Sequence, residues 1–363
     1  MTKILSIIIP TYNMEKYLHK CLDSLIVSAE NLSLLEVLVI NDGSKDASSE
    51  IAHDYESIYP QVFKVIDKKN GNYGSCVNCG LQEATGKYVK ILDADDHFSN
   101  KSLDVFISYL ERVDVDLVIS DYCIVDEKGK IKETYTFNLP VDRTFTINDF
   151  TESTGWLWHH GITYKTSNIV TMNYKQTEGI SYTDDEWIFK PMISVKMVAY
   201  FPQFLYYYLR GREGQTFDPK VMQKTFSHRM IVANSMVRFY EDHCSLFEGG
   251  LKQYMFSKLF SRVRALYNLF LIKGGNQDEL HDTPAMISLD QELKRHVPDV
   301  YMRLDSIHNK LGWFYIRKWR SSDFDNHILM LEILRLKYRL YHLLGLNVFN
   351  IHMPEQIKRG TAK

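Results

Sequence analysis

The sequence YVKILDADDHFSN, residues 88–100, places three carboxylates directly after a predicted buried strand. Residues 88–92 are mostly apolar and β-prone, which predicts a strand of an α/β sheet. Asp93, Asp95 and Asp96 follow at its carboxyl end, where like charges repel one another. We therefore expect either a cationic partner for these side chains or their full exposure to water.

Strand and helix patterns alternate on the N-terminal side of this segment. The predicted strands cover residues 4–10, 34–40 and 62–67, and the predicted helices cover residues 15–27, 48–59 and 75–84. This βαβα order predicts a mostly parallel sheet with helices on both faces. Ligands of such sheets bind beyond the carboxyl ends of the strands.

Polar residues and glycines cluster at these strand ends. The four clusters comprise Thr11, Tyr12, Asn13 and Glu15; Asp42; Asn70, Gly71, Asn72 and Gly74; and Asp93, Asp95 and Asp96. Asp93 and Asp95 can bind Mg²⁺ or Mn²⁺ through oxygen ligands and leave coordination positions for phosphate. Asp42 can accept hydrogen bonds from a base or ribose, and glycines near Asn70 allow the backbone to approach a ligand closely. Together these features predict a site for a nucleoside diphosphate.

Composition and missing motifs argue against several classes of protein. The net charge of −2 provides no basic field for nucleic acid, and no apolar run is long enough to span a bilayer. No G-x-x-x-x-G-K-[ST] loop occurs and no G-x-G-x-x-G follows the first strand, which disfavours P-loop NTPases and dinucleotide dehydrogenases. The first apolar run is too short for a signal peptide, and five cysteines without a signal predict a reduced, cytoplasmic setting.

The C-terminal part of the chain carries apolar residues at helical spacing. The predicted helices cover residues 227–247, 251–272, 313–319 and 329–344. We therefore predict an α/β domain over residues 1–212 and an all-helical domain over residues 213–363. The helix that includes residues 330–344 is amphipathic, which suits packing in this domain, a homo-oligomer interface, or peripheral contact with the inner face of the cell membrane.

Four segments resemble, in order, the successive motifs of the family 2 glycosyltransferases. They are SIIIPTYNMEKYLHKCLDSL (6–25), EVLVINDGSKDAS (36–48), NGNYGSCVNCGLQEATGKYVKILDADD (70–96) and EGISYTDDEWI (178–188). An ordered set of motifs is far more specific than any one of them. The resemblance implies a GT-A fold, which is a Rossmann-like sheet that binds a nucleotide-sugar.

The resemblance also implies a role for each strand-end cluster. The floor of a uridine pocket would comprise Pro10, Thr11, Tyr12, Glu15 and Asp42, with Asn70 and Gly74 near the base and ribose. Asp93 would face the ribose or metal, Asp95 would ligate the metal that bridges the diphosphate, and Asp96 would orient its neighbours. Val77-Asn78 departs from the Arg-Asn pair of many relatives, which leaves the contacts on that side of the pocket open.

The segment Thr183-Asp184-Asp185-Glu186 matches the acidic pair of the family. The resemblance makes Asp185 the general base and Asp184 its neighbour in the catalytic pair. An acceptor hydroxyl needs such a base because it is a poor nucleophile until its proton is removed. The residues alone also suit a helix start, in which Thr183 or Asp184 caps a helix over residues 186–195.

Two further groups are weaker candidates. Arg210, Arg212 and Gln215 lie where relatives place a loop that closes over the diphosphate, and arginines there would neutralise the leaving group. The alternative is that the arginines are ordinary surface residues. The pair His159-His160 suits either a metal or phosphate contact or a structural role beside a strand.

The function implied is an inverting, metal-dependent glycosyltransferase. It would move a hexose or N-acetylhexosamine from a UDP-sugar to a hydroxyl of a lipid-linked or protein-linked glycan, with Mn²⁺ or Mg²⁺ as cofactor. Two alternatives stay open: a non-catalytic glycosyltransferase-like partner subunit, and a metal-dependent nucleotidyltransferase or phosphohydrolase that uses the same carboxylates.

Overall fold

The structure, a computed structural model, describes residues 2–151, 154–212, 225–273, 282–309 and 311–344. The chain divides into two compact units, Met1–Glu213 and Gly214–Glu355. The predicted domain boundary after residue 212 stays a prediction, because compactness does not test whether either part folds alone.

The first unit contains ten strands and seven α-helices among its described residues. The strands are β1 (Leu5–Thr11), β2 (Leu35–Asn41), β3 (Phe63–Asp67), β4 (Tyr88–Ile91), β5 (His97–Phe98), β6 (Leu117–Val125), β7 (Ile131–Tyr135), β8 (Phe145–Thr146), β9 (Ile162–Lys165) and β10 (Met197–Leu209). The helices are α1 (Glu15–Asp23), α2 (Ala29–Leu34), α3 (Ser48–Ile58), α4 (Asn72–Glu83), α5 (Asn100–Arg112), α6 (Thr166–Thr171) and α7 (Asp184–Trp187).

All ten strands form one mixed sheet. Its order is β3-β2-β1-β4-β9-β6-β10-β5, with β7 on β6 and β8 on β10. The first four strands along the chain pair in parallel, as the βαβα pattern predicts. The sheet as a whole is not mostly parallel, because β9 runs antiparallel to both β4 and β6. Apolar patterning identifies a strand but not its direction, so this reversal was not predictable from composition.

The central strands of the parallel half, β1 and β2, are mostly apolar on both faces. Residues 5–9 of β1 are completely buried between α-helices, which is typical of a central parallel strand. Helix α4 packs closely on β1 at Gly80, where a Cβ atom would come within 2.5 Å of the Ile8 side chain. A larger residue there would push the helix away from the strand.

The helix predicted over residues 186–195 is wrong in length. Helix α7 ends at Trp187, and a 3₁₀ helix follows over Lys190–Ser194. Pro191 explains the break, because it has no N–H to donate to the carbonyl four residues earlier. The acidic pair therefore sits on a single helical turn.

The second unit is helical throughout its described residues. Its α-helices are α8 (Phe226–His243), α9 (Gly249–Asn268), α10 (Thr283–His296), α11 (Pro298–Asp305), α12 (Tyr315–Ser321) and α13 (Leu329–Leu343). Apolar side chains at helical spacing form its core, and Trp319 is fully buried there. Across the described part of the chain, no helix combines the length and apolar character needed to cross a membrane.

Candidate active site

The three carboxylates after β4 are held inside the protein. The side chains of Asp93 and Asp95 are 24% and 11% exposed, and Asp96 is 1% exposed. One oxygen from each can be chosen so that the three atoms lie within 4.8 Å of one another. Full exposure to water, one of the two expectations from the sequence, is therefore wrong. We call these three residues the acidic corner.

Basic side chains approach the acidic corner from distant parts of the chain. Arg212 Nε lies 2.5 Å from Asp95 Oδ2, and His159 Nε2 lies 3.2 Å from Asp93 Oδ2. Tyr73 donates a further hydrogen bond of 2.9 Å to Asp93 Oδ1. Arg212 thus lies beside a predicted metal ligand, and the expectation of a cationic partner is met.

Asp96 is satisfied by neutral donors on β10. The Tyr206 hydroxyl donates to it at 2.6 Å and the Leu209 N–H at 2.7 Å. The same Tyr206 oxygen accepts a 3.1 Å hydrogen bond from the Asp93 backbone N–H. Tyr206 therefore fixes the loop that carries all three carboxylates.

The pKa values at the acidic corner diverge. Burial would raise the pKa of Asp93, but attraction to His159 and hydrogen bonds hold it below its usual range. Burial and repulsion from Asp93 raise the pKa of Asp95 despite Arg212. Burial and the two neighbouring carboxylates raise the pKa of Asp96 well above its usual value. At Asp95 and Asp96, burial and repulsion between the carboxylates therefore outweigh the nearby hydrogen bonds and positive charge.

Asp42 forms a second carboxylate site at the end of β2. It is 2% exposed and accepts hydrogen bonds from Lys68 Nζ at 2.6 Å and from the Gly71 N–H at 2.9 Å. Asn70 donates to the Asp42 backbone carbonyl at 3.0 Å, so these two predicted site residues do lie together. Lys68 was missed, and its position directly after β3 is the signal that could have identified it. We call this the Asp42 corner.

The loop after β1 lies beside the Asp42 corner. Thr11 is buried and pairs with Asn41 across β1 and β2, and its carbonyl accepts from the Asp42 N–H at 2.8 Å. Glu15 accepts from the Ala47 N–H at 3.0 Å, which ties this loop to the one after β2. Pro10 is half-buried at the same edge, whereas Tyr12 is 42% exposed and available to a ligand.

Helix α4 supports the segment that precedes the acidic pair. A Cβ atom at Gly74 would come within 2.0 Å of the Thr177 carbonyl oxygen, so only glycine permits this contact. Asn78 donates to the Gln176 carbonyl at 2.9 Å and accepts from the Gln176 N–H at 2.8 Å. Gly74 and Asn78 thus hold the approach to the acidic pair, a contact that spacing alone did not indicate.

The acidic pair opens α7 without the predicted cap. Thr183 makes no side-chain capping bond, and its hydroxyl instead accepts from Gln176 Nε2 at 2.9 Å. Asp185 is 9% exposed, while the Asp184 side chain is 30% exposed. Glu186, to which the sequence analysis gave no role of its own, is fully buried. It accepts a hydrogen bond from the Thr177 N–H at 2.7 Å, which anchors the turn.

His159 lies between the acidic corner and the acidic pair. Its Nε2 faces Asp93, and its Nδ1 lies 3.9 Å from Asp184 Oδ2. Burial would lower the pKa of this imidazole, but attraction to Asp93 and Asp184 raises it overall. The structure therefore brings the two acidic motifs together around one histidine.

His160 and Lys90 form the support beneath His159. His160 stacks on Tyr208 with ring centroids 4.5 Å apart, and burial followed by repulsion from His159 and Lys90 lowers its pKa well below the usual value. Lys90 is completely buried and donates to the His160 carbonyl at 2.7 Å and the Ile162 carbonyl at 3.1 Å. Burial lowers the pKa of Lys90 to about 7.

The acidic corner has the donor set for a hard divalent cation. Three carboxylates offer oxygen ligands of the kind that Mn²⁺ and Mg²⁺ prefer. Asp93, His159 and His160 form a second group whose ligand atoms lie within 4.8 Å of one another. Arg210, by contrast, is exposed and approaches Glu133 at 3.8 Å, and Gln215 lies outside the described residues.

Comparison with known proteins identifies the relatives of this chain. Residues 6–169 match the model of Glycosyl transferase family 2. The uncharacterized glycosyltransferase YibD of Escherichia coli strain K12 is 33% identical over 224 residues, which is 58% of this chain and 62% of that protein. The chain thus spans less than two thirds of the length of this relative.

Two solved structures share the fold. TarS residues 1–349 of S. aureus, in complex with UDP-GlcNAc, superpose with a TM-score of 0.62 at 18% identity, covering 93% of this chain and 92% of that one. The mannosyltransferase PcManGT of Pyrobaculum calidifontis, in complex with GDP-Man and Mn²⁺, has a TM-score of 0.50 at 13% identity, covering 95% and 88%. At these identities the likeness concerns the fold, and it confirms the predicted GT-A class with a helical C-terminal region.

Proposed function

Residues 6–169 of this chain match the model of glycosyl transferase family 2, and from that match we propose that the protein transfers a sugar from a UDP-sugar to a glycan hydroxyl with inversion. The observation that carries this proposal is the meeting of the acidic corner and the acidic pair around His159. One motif suits the diphosphate of a donor and the other suits an acceptor hydroxyl. Their proximity is what a direct displacement between the two substrates requires.

The donor would bind along the carboxyl edge of the parallel strands. Uridine would occupy the region of Pro10, Thr11, Tyr12, Glu15 and Asp42, with Asn70 beside the base or ribose. The arrangement of Asp42 and Asn70 at one strand end supports this assignment. A UDP-hexose or UDP-N-acetylhexosamine is the donor class we favour, and the UDP-GlcNAc complex of the S. aureus neighbour is consistent with it.

Asp95 and Asp93 are the residues that would hold Mn²⁺ or Mg²⁺. Such an ion, when bound, supplies positive charge to the diphosphate as it leaves. Asp96 would keep its neighbours in place through Tyr206, whose hydroxyl contacts both Asp96 and the Asp93 N–H. Arg212 lies 2.5 Å from Asp95 and would add a fixed cation beside the same phosphates.

Asp185 would act as the general base. It would take the proton of the acceptor hydroxyl while the oxygen attacks the anomeric carbon, and the sugar–phosphate bond breaks in the same displacement. Glu186, held by Thr177, and the turn of α7 keep the pair in position. Asp184, which lies 3.9 Å from His159 Nδ1, would orient the pair relative to the acidic corner.

We assign the acceptor to a lipid-linked or protein-linked glycan, such as a growing surface polysaccharide, and the protein to the cytoplasm. All five cysteines are free, which agrees with a reducing compartment. These assignments rest on the resemblance of the chain to its family and on its cysteines.

The proposal is tested by incubating the protein with UDP-hexoses and UDP-N-acetylhexosamines in Mn²⁺, with and without glycan acceptors. Release of UDP that depends on acceptor, with a product of inverted anomeric configuration, is the expected result. Cleavage of the nucleotide at its phosphates would instead indicate a phosphohydrolase or nucleotidyltransferase. Failure to bind or turn over any donor would indicate a non-catalytic partner subunit.

A further inference from the structure

Helix α13 buries one face within the second unit. Leu331, Leu334 and Arg335 are at most 2% exposed. Arg335 Nε donates to the Leu271 carbonyl at 3.0 Å, which fixes the rotation of the helix about its axis. Only one side of α13 therefore packs against the rest of the second unit.

The opposite face of α13 is an exposed apolar stripe. Its members are Leu329, Ile333, Leu336, Leu340 and Leu343, whose exposed fractions are 76%, 39%, 58%, 52% and 82%. They follow one another at intervals of four, three, four and three residues. This is the spacing of the a and d positions of a coiled-coil heptad, with Ile333 and Leu340 at a and the other three at d.

The stripe is too narrow to favour a membrane-surface helix. Such a helix presents a broad apolar face bordered by basic residues, whereas an a/d stripe alone is the seam of a coiled coil. The charged residues that border the seam are Glu332, Lys337 and Arg339, so one of the three is acidic. A row of exposed leucines at this spacing is costly in water and marks an interaction surface.

We propose that α13 pairs with α13 of a second copy of this chain in a parallel, two-stranded coiled coil. The β-branched Ile333 occupies an a position of the heptad, and leucine occupies every d position. This combination favours a coiled coil of two parallel helices. In this dimer each of the five apolar residues of the stripe packs against the same residue of the second copy. The two copies are related by a two-fold axis, so both use the same surface.

The border charges are complementary in this arrangement. Glu332 occupies a g position and Lys337 the e position five residues later, and these two positions face each other between parallel helices. The Glu332 side chain is 39% exposed and already accepts from Arg335 on its own helix at 2.9 Å. Two symmetric Glu332–Lys337 pairs would therefore border the seam, one on each side.

The test is the mass of the full-length protein in solution, measured by light scattering or sedimentation over a wide range of concentration. We expect twice the 42.5 kDa of one chain for the wild type and 42.5 kDa for Leu336→Asp. Met302→Asp is the matched control, because Met302 is 60% exposed on another helix of the same unit. That variant should remain a dimer, and circular dichroism should show all three proteins equally folded.

Charge reversal tests the parallel pairing. Glu332→Lys and Lys337→Glu should each weaken the dimer, and the double variant should restore it, because the pair is then reversed but still opposite in sign. A double variant weaker than both single variants would overturn the parallel arrangement.

Three other results would overturn the proposal itself. One is a wild type that is monomeric at every concentration. A second is a monomer that becomes a dimer when residues 345–363 are deleted, because that segment would then cover the stripe. The third is a monomer that floats with anionic vesicles and loses this ability in Leu336→Asp, because the stripe would then contact lipid.

Discussion

The Asp42 corner and the acidic corner both place carboxylates at strand ends, but they are assembled from different distances along the chain. The partners of Asp42 lie 26 and 29 residues away in sequence. In the acidic corner Tyr73 lies 20 residues from Asp93, but the other partners lie 66 to 117 residues away, on the turn before β9, on β10 and at Arg212. The Asp42 corner needs only β2 and the loop after β3, whereas the acidic corner also needs the turn before β9, the strand β10 and Arg212.

The two corners also differ in charge. Asp42 is matched by one ammonium group, that of Lys68. The acidic corner sets three carboxylates against Arg212 and His159, and the pKa of Asp95 is raised because burial and Asp93 outweigh Arg212. Coulombic repulsion therefore gives a divalent cation more to gain at the acidic corner. This difference is why we assign the metal there and the nucleoside to the Asp42 corner.

The largest effect is expected at the acidic pair that His159 joins to the acidic corner. Asp185→Asn removes basicity but keeps the shape, so turnover at saturating donor should fall about 10²–10⁴-fold while donor affinity survives. Asp184→Asn is the matched control, and it should cost stability or donor affinity more than the chemical step. Acceptor-dependent UDP release by both variants is the measurement. A dead Asp184→Asn beside a normal Asp185→Asn would move the base to Asp184, and two normal variants would place the base elsewhere.

A smaller effect should separate the two corners directly. Asp95→Asn keeps an oxygen that can accept from Arg212 but removes a charged metal ligand. The apparent affinity for Mn²⁺ should therefore fall about 10-fold to 100-fold. Asp42→Asn should weaken donor binding without changing the Mn²⁺ dependence. The affinity of both variants for UDP is measured across a Mn²⁺ titration. Asp54→Ala, on the exposed surface of α3, is the control for effects that any substitution could cause. Equal loss of Mn²⁺ dependence in the Asp42 and Asp95 variants would contradict the assignment of the metal to the acidic corner alone.

The smallest effect concerns the long-range assembly of the acidic corner. Tyr206→Phe removes the donor to Asp96 and the acceptor of the Asp93 N–H, so it should lower the free energy of unfolding by roughly 1–3 kcal/mol. Tyr207→Phe is the matched control, because its side chain leaves the opposite face of β10. Urea denaturation compares them, and equal stability of the two variants would show that Tyr206 does not hold the corner.

The sequence is informative where partners are near one another in the chain. The strands β1 to β4 and the gathering of polar residues at their ends could be predicted, because apolar runs and turn residues are local signals. The acidic pair was singled out only by the family resemblance, and the roles of all these residues stay predictions. Lys68 belongs to the same local half, and its position directly after β3 is the signal by which it could have been identified.

The remaining contacts depend on long-range packing. The roles of His159, Tyr206 and Glu186 depend on the turn before β9, on β10 and on the turn of α7. Neither strand order nor a hydrogen bond over many residues is encoded in periodicity. The expected helix through residue 195 failed for a simpler reason, since Pro191 interrupts it.

We expect the acidic corner to bind the divalent cation through which the protein holds a nucleoside diphosphate. Calorimetric titration of the wild-type protein with UDP, in Mn²⁺ and in a chelator, tests it most directly. We expect UDP binding that depends on Mn²⁺ and is lost in the chelator. UDP binding of equal affinity in both conditions would show that no cation at the acidic corner mediates it.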